Sequence, residues 1–258
     1  MLKPAIPDIL ERVLTNGVPL VQSSREMIYS HIKEFGDHFS SIENSMLLIK
    51  AISTIHKHNN EDDITLLGLG TSLYNDCATA WLLMMQGFYQ MSFMPQRHML
   101  ECSILFEFFS MERSAIQAWK KAIYSTRRGL LSDALRKVKD RLRIKEHPIE
   151  ATHALLCDMN VHPTYRGIAL MLGDPHGNLH LGPYVEQIPL QNGLTWLARI
   201  SSYATKQLVK AYGEENLKNA NEDFGIAYSK FNSWLSKWLK LYRDFPSFGA
   251  LRNEGHDL

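Results

Sequence analysis

Residues 66–94, LLGLGTSLYNDCATAWLLMMQGFYQMSFM, carry an apolar pattern over their whole length. Apolar or small residues recur there at spacings of three and four: Leu66, Leu69, Leu73, Cys77, Ala80, Met84, Gly87, Met91 and Met94. This spacing predicts a long helix of about seven or eight turns that is buried on one face. Pro95 should kink or end that helix, because proline has no N–H and clashes with the preceding turn. Apolar residues continue from Gln96 to Phe109, where we expect the helical pattern to resume.

The composition is typical of a globular protein. The 258 residues are 45% hydrophobic and 21% charged, with 28 Lys and Arg against 27 Asp and Glu. These values exclude an intrinsically disordered chain, and a net charge of +1 excludes a uniformly basic nucleic-acid coat protein. Because no repeat, linker or low-complexity segment interrupts the chain, we expect a single helical domain over residues 1–258.

Three cysteines and one uncharged segment bear on the cellular location. Cys77, Cys102 and Cys157 form no C-x-x-C pair, which favours reduced thiols in a cytoplasmic protein. Residues 77–96 carry no charged side chain, but they include three glutamines and Pro95, which are costly in a lipid bilayer. We therefore expect a buried core helix there and no membrane span.

The helical pattern changes after His162 and Pro163. Residues 167–183, GIALMLGDPHGNLHLGP, contain two short apolar runs around a turn rich in Gly, Asp and Pro. That pattern predicts a β-hairpin, whereas helical periodicity precedes and follows it. The expected fold is therefore mainly α: a bundle of long antiparallel helices with one inserted β-hairpin at about residues 167–183.

Aromatic residues mark the last predicted helix, residues 217–244. Large apolar side chains alternate there at spacings of four and three: Phe224, Tyr228, Phe231, Leu235, Trp238, Tyr242 and Phe245. An aromatic face packed on the bundle core would produce this pattern. A heptad-like seam in a homodimer and a platform for base stacking would also produce it.

A basic segment occupies residues 120–145. It holds ten Lys and Arg against two Asp. Five of its cations are candidate phosphate contacts, the last three on one face of a helix: Arg127, Arg128, Arg136, Lys139 and Arg143. A patch that binds RNA or DNA, a docking site for an acidic protein and an ordinary solvated face all fit this pattern.

Standard metal and cofactor motifs are absent. The chain has no G-x-S-x-G, no phosphate-binding G-x-x-x-x-G-K-[ST] and no H-E-x-x-H. Glu150 and His153 match the E-x-x-H element of di-iron helical bundles, but that site needs a second copy and two further carboxylates. No second E-x-x-H occurs. We therefore predict no metal site and no cofactor.

Four sequence elements follow one another in an order that resembles a helical protein family. They are LYNDCA at 73–78 with LLMMQGFY at 82–89, RHMLE at 97–101, Trp119, and VHPT at 161–164. In this order they resemble uncharacterised bacterial proteins of the HEPN-like group, helical domains found in toxins and phage-defence proteins. The resemblance covers about residues 65–212. It implies a HEPN-like core in that range, a role in stress or phage defence and, in members that are enzymes, metal-independent RNA cleavage.

Arg97, Glu101 and His162 are the candidate site for that activity. Arg97 and Glu101 lie four residues apart and share a helix face, and Pro163 holds His162 in an extended, exposed position. In a ribonuclease, His162 would be the general acid/base for attack by a ribose 2′-hydroxyl. Arg97 would stabilise the phosphate charge, and Glu101 would orient Arg97 or His162. Alternatively, the Arg–Glu pair ties helices together and His162 caps a helix end.

Three functions therefore remain open. The first is an intracellular HEPN-like protein of stress or phage defence that cleaves RNA without a metal. The second is a non-catalytic helical module that dimerises and binds protein or nucleic acid through its basic segment. The third is a small-molecule binder that uses the Met- and Phe-rich core between Leu83 and Phe109.

Overall fold

The computed structural model describes residues 17–54, 60–122, 124–161, 182–220 and 222–241. Nearly all of them are helical. The helices are α1 Gly17–Ser30, α2 Ile32–Ser53, α3 Glu61–Met85, α4 Tyr89–Met111, α5 Ala115–Lys121, α6 Tyr124–Leu142, α7 Pro148–Leu156, α8 Gln187–Tyr212, α9 Glu214–Ala220 and α10 Glu222–Leu241. A π-helical turn, Cys157–Val161, extends α7. The predicted mainly α class is confirmed.

The predicted β-hairpin at residues 167–183 is wrong, because the described residues contain no strand. Residues 167–181 lie outside the described part of the chain. Gly182 and Pro183, which should end the second predicted strand, instead belong to an irregular connection that leads into α8. Gly182 has a φ of +106°, which glycine adopts readily, and Pro183 has no N–H to donate to a neighbouring strand.

Helices α4 and α8 form the most extensive contact of the bundle and run in the same direction. At their first turns, the Tyr89 hydroxyl donates to the Glu186 carbonyl, just before α8, at 3.3 Å. At their other ends, Arg113, just after α4, donates through Nη1 to the carbonyl of Ala211 in the last turn of α8 at 2.6 Å. The first turn of α4 thus contacts the first turn of α8, and their last turns lie together as well, so the two helices are parallel.

Helix α2 shares this direction, and α3 opposes it. Ser41 Oγ on α2 lies 2.7 Å from Ser202 Oγ on α8, and His38 lies 3.0 Å from Thr195, both earlier on their helices than the first pair. By contrast, Asp63 at the start of α3 pairs with Arg113, which follows the end of α4, so α3 and α4 are antiparallel. The predicted antiparallel bundle is therefore corrected: three of the four central helices are parallel. The chain returns to the start of α4 before α8 begins, which permits this arrangement.

The break between α3 and α4 lies at Gly87, not at Pro95 as the sequence predicts. Gly87 has a φ of +78°, a conformation that costs glycine little, and its N–H donates to the Met84 carbonyl. Pro95 lies inside α4, in its second turn, and has no N–H to donate to the Met91 carbonyl. The turn divides the uncharged residues 77–96 between two helices. No described helix has both the length and the apolarity needed to cross a bilayer.

The first half of α10 covers the core of its own chain. Phe224 and Phe231 are fully buried, and α10 packs mainly against α2. The ring of Tyr228 stacks on Phe224 at 5.2 Å between centroids. The core-packing interpretation of the aromatic face thus holds for these residues. The side chains of Trp238, Tyr242 and Phe245, the rest of the predicted seam, lie outside the described part.

Gly87→Ala should lower the free energy of unfolding by about 2 kcal/mol or more, because positive φ strains alanine and the new methyl meets backbone. The added Cβ would lie 2.1 Å from the Tyr184 carbonyl oxygen. Gly68→Ala is the matched control, since Gly68 lies in α3 with nothing within 4 Å of an added Cβ. It should stabilise the protein by up to about 1 kcal/mol. Urea denaturation measures both, and equal effects would contradict this account of the turn.

Candidate functional site

Helix α4 presents ionisable side chains to two neighbouring helices. Arg97 and Glu101, one turn apart, meet residues of α7, whereas His98 and Cys102, also one turn apart, meet a residue of α3. Residues at this spacing share a helix face. We call the first group, with His153 and Cys157, the α4–α7 cluster. The second group, with Asp76, is the α3–α4 cluster.

Glu101 is the centre of the α4–α7 cluster. Its Oε1 accepts from Arg97 Nη2 at 2.8 Å and lies 3.1 Å from His153 Nε2. Arg97 Nε also points at His153 Nε2, at 3.3 Å. On the other side of the imidazole ring, Nδ1 lies 3.8 Å from Cys157 Sγ. The side chains of Arg97, Glu101 and His153 are 30%, 23% and 28% exposed, so solvent and small groups reach the cluster.

The His153 tautomer determines which of these contacts are hydrogen bonds. With its proton on Nε2, the ring donates to Glu101; with the proton on Nδ1, Nε2 accepts from Arg97 and Nδ1 faces the Cys157 sulfur. Both forms are compatible with the geometry. Each tautomer keeps one of the two Nε2 hydrogen bonds, so a change of proton position exchanges the Glu101 contact for the Arg97 contact.

The electrostatics of the cluster favour an ionised Glu101. Burial alone would raise its pKa, but the His153 hydrogen bond and the Arg97 charge outweigh burial and hold the pKa below its ordinary value. Burial raises the pKa of the Cys157 thiol despite the nearby Arg97. The cluster therefore holds a carboxylate and a neutral thiol, and Cys157 is not an activated nucleophile.

Sequence reasoning named two of these residues and missed the third. Arg97 and Glu101 pair as predicted. The structure brings His153 to them, whereas His162, the predicted acid/base, lies outside the described residues. The E-x-x-H spacing of Glu150 and His153 was visible in the sequence but pointed only to metal binding. Glu150 instead accepts from the His147 N–H at 2.7 Å in the capping box that begins α7.

The α3–α4 cluster was not predicted. Asp76 Oδ2 lies 2.6 Å from His98 Nδ1, and His98 Nε2 lies 3.9 Å from Cys102 Sγ. The hydrogen bond with Asp76 is the main cause that raises the pKa of His98 to about 11. Cys102 is only 1% exposed, whereas the His98 side chain is 49% exposed. The H-x-x-x-C spacing was a sequence signal, but the partner on α3 was not.

A buried network lies farther along α4. The carboxylate of Glu107 contacts His147 Nε2 at 3.2 Å and accepts from the Tyr203 hydroxyl at 2.8 Å. His147 Nδ1 accepts from the Ile149 N–H, so its proton is on Nε2 and is donated to Glu107. Burial raises the pKa of Glu107, but the bonds from His147 and Tyr203 outweigh burial and leave the pKa below its ordinary value. The network joins α4 to α7 and α8.

The basic segment is partly neutralised within the chain. Lys139 contacts both carboxylate oxygens of Glu150 at 2.9 and 3.1 Å, and Arg136 pairs with Asp133 at 3.1 Å. Arg143 follows the end of α6 with a φ of +54°, so it does not continue the face of Arg136 and Lys139 as predicted. The side chains of Arg127 and Arg128 lie outside the described part. Arg136 and Arg143 are the exposed members of the predicted set.

An apolar cavity of about 170 Å³ lies between α4, α7 and α8. Leu100, Thr152 and Trp196 line it, with Arg199 at 5.9 Å from the Trp196 ring and Tyr203 at the side of the Glu107 network. This volume is smaller than typical sites for drug-sized ligands, so it gives little support to the predicted small-molecule binder.

Comparison with family models, curated proteins and solved structures finds no match to this chain.

Glu107→Gln should lower the free energy of unfolding at neutral pH by about 1–3 kcal/mol, the range for hydrogen bonds to a charged group. A carboxylate with a lowered folded pKa stabilises the protein above its ordinary pKa, and this contribution is lost as pH falls through the folded value. The difference between wild type and variant should therefore shrink at about pH 3. Urea denaturation at both pH values tests this, with the exposed Glu146→Gln as control. A difference that stays constant with pH would contradict the network.

Proposed function

We propose that this chain is a cytoplasmic RNA-binding protein of the HEPN-like group that cleaves RNA without a metal, in a stress or phage-defence role. The observation that carries the proposal is the position of Glu101, whose one oxygen contacts both a guanidinium and an imidazole from another helix. The order of sequence elements that resembles the HEPN-like group supports it. The Arg97, Glu101 and His153 side chains are accessible enough to meet a phosphodiester.

The chemistry requires one proton acceptor, one proton donor and one stabilising cation. The acceptor takes the proton of a ribose 2′-hydroxyl while that oxygen attacks the adjacent phosphorus. The P–O5′ bond breaks, the donor protonates the departing 5′-oxygen, and a 2′,3′-cyclic phosphate remains. Arg97 stabilises the charge that accumulates on the phosphoryl oxygens. Atoms and charge balance without an oxidant, a reductant or a metal.

His153 takes the role of proton acceptor in this proposal, and Glu101 positions it. A carboxylate that binds one side of an imidazole fixes the ring orientation and stabilises the imidazolium that forms. Glu101 also holds Arg97, so a single residue positions both functional groups. His162 remains the sequence-based candidate for the second proton-transfer group.

In this proposal, cations of the basic segment contact the RNA backbone near the site. Lys139 on α6 is bonded to Glu150 on α7, and His153 lies one helical turn beyond Glu150. Arg136 and Arg143 are exposed and lie on, or just after, the helix that Lys139 links to α7. Phosphate contacts from such cations supply most of the sequence-independent affinity for RNA.

A non-catalytic interaction module is the alternative, and the α4–α7 contacts themselves favour it. Arg97, Glu101 and His153 tie two helices together, which is a sufficient reason for an ion pair in a bundle. A homodimer remains part of this alternative. The described side chains of α10 pack on the core of the same chain, so the interface of a dimer would lie on another surface.

Arg97→Ala, His153→Ala and His162→Ala should each reduce RNA cleavage by about 100-fold or more, since each removes charge stabilisation or a proton-transfer group. Release of a fluorophore from a quenched single-stranded RNA measures the rate, in the presence of a chelator. Product analysis should show 2′,3′-cyclic phosphate ends.

His31→Ala is the control for these variants. His31 is partly buried between α1 and α2, outside the α4–α7 cluster, so cleavage should be unchanged. Cleavage that is equal in wild type and folded His153→Ala would reject the proposed acceptor. If neither wild type nor any variant cleaves RNA, but wild type still binds a partner protein tightly, the interaction module is favoured.

Arg136→Glu combined with Arg143→Glu should weaken RNA binding and reduce its salt dependence. Each lost phosphate contact lowers the slope of log K against log salt by about 0.7 for a single strand. Fluorescence anisotropy over a salt series measures the slope. Lys33→Glu, an exposed cation on α2, is the control and should leave the slope unchanged. An unchanged slope in the double variant would exclude these cations from the RNA interface.

A further inference from the structure

We propose that Asp76, His98 and Cys102, the α3–α4 cluster, form a binding site for a divalent transition metal such as zinc. Each residue contributes one ligand atom, and the three atoms lie within 4.8 Å of one another. The site is separate from the α4–α7 cluster and takes no part in the proposed RNA chemistry. It departs from the sequence-based prediction that the chain has no metal site.

The arrangement of the two helices brings the ligands together. His98 and Cys102 are four residues apart on α4, the spacing at which two side chains of one helix bind a single ion. Asp76 approaches from the antiparallel helix α3, at 2.6 Å from the imidazole. A site that spans α3 and α4 is therefore attached to two elements of the core.

The distances are close to those that zinc needs. Metal bonds of about 2.0 Å to nitrogen or oxygen and 2.3 Å to sulfur place tetrahedral ligand atoms about 3.3–3.7 Å apart. His98 Nε2 and Cys102 Sγ are already 3.9 Å apart. All three ligand atoms lie within 4.8 Å of one another and would close to these distances around an ion, with the imidazole giving up its Nδ1 contact with Asp76. The carboxylate of Asp76 then completes a set of one sulfur, one nitrogen and one oxygen. Zinc accepts this mixture and fills its fourth position with water.

The Cys102 thiol is accessible to a single ion but not to a larger electrophile. The Cys102 sulfur belongs to a residue that is 1% exposed, whereas the His98 ring beside it is 49% exposed. A substrate carbonyl or disulfide cannot reach such a sulfur without opening the helices, which argues against a nucleophilic Cys–His–Asp triad. A single ion entering beside the imidazole can reach it.

The α4–α7 cluster provides an internal comparison. It also has a His and a Cys four residues apart, His153 and Cys157, together with the carboxylate of Glu101. There, however, the Arg97 guanidinium already binds that carboxylate at 2.8 Å and would repel a cation. A carboxylate, an imidazole and a thiol are present at both clusters, but we expect metal binding only at the α3–α4 cluster, where no guanidinium of the described residues binds the carboxylate.

The experiment is a titration of the full chain with Co²⁺, followed by competition with Zn²⁺. Wild type should bind one Co²⁺ and show a thiolate-to-cobalt charge-transfer band in the near ultraviolet, which Zn²⁺ removes. Cys102→Ser and His98→Ala should lose the band, and Asp76→Asn should weaken binding because it removes the negative charge of a ligand. Cys157→Ser and His153→Ala should retain wild-type binding.

Folding is checked separately, because Cys102 is buried. Circular dichroism of each metal-free variant establishes the fold, and His98→Ala, at a half-exposed position, serves as the decisive variant if Cys102→Ser does not fold. Zn²⁺ should raise the melting temperature of wild type and not of His98→Ala. A missing charge-transfer band in wild type, or equal Co²⁺ binding by wild type and His98→Ala, would overturn the proposal.

Discussion

The structure depends on the burial of α4 among its neighbours α3, α6, α7 and α8. Many of its side chains are buried, including Phe93, Met99 and Phe106. Burial of such side chains contributes about 1.5–3 kcal/mol each, so this one helix supplies a large part of the core stability. Because α4 is held on both sides, the polar residues at its edges have little freedom to move apart. The two clusters of functional residues lie at those edges.

Different kinds of interaction therefore meet on a single helix. Glu107 joins α4 to α7 and α8 through hydrogen bonds that water hardly reaches, whereas Glu101 makes similar contacts where water has access. The degree of burial of each carboxylate determines what its contacts do. The contacts of Glu107 contribute to stability, while those of Glu101 position a cation and an imidazole that can still meet a ligand. The α3–α4 cluster combines both conditions, with a sealed sulfur and an open imidazole.

The sequence predicts the helices well and their mutual arrangement poorly. Periodicity identifies apolar faces, since those depend on neighbours along the chain, and so the pairing of Arg97 with Glu101 is confirmed. The break at Gly87 was missed because proline is the stronger local signal for a helix end, yet glycine adopts the positive φ that the turn requires. His153 and Asp76 were missed as partners of α4 because their contacts depend on how helices pack, which no local spacing encodes.

The proposed RNA chemistry requires a phosphodiester to bind at the α4–α7 cluster, and a crystal structure with a bound substrate analogue shows whether it does. A short RNA with a 2′-deoxy sugar at one position binds but cannot be cleaved there, because the attacking hydroxyl is missing. The account predicts a backbone phosphate within hydrogen-bonding distance of Arg97, with the 2′-carbon facing His153. An oligonucleotide bound elsewhere, with Arg97 and Glu101 still paired to His153 as in the free protein, would contradict it.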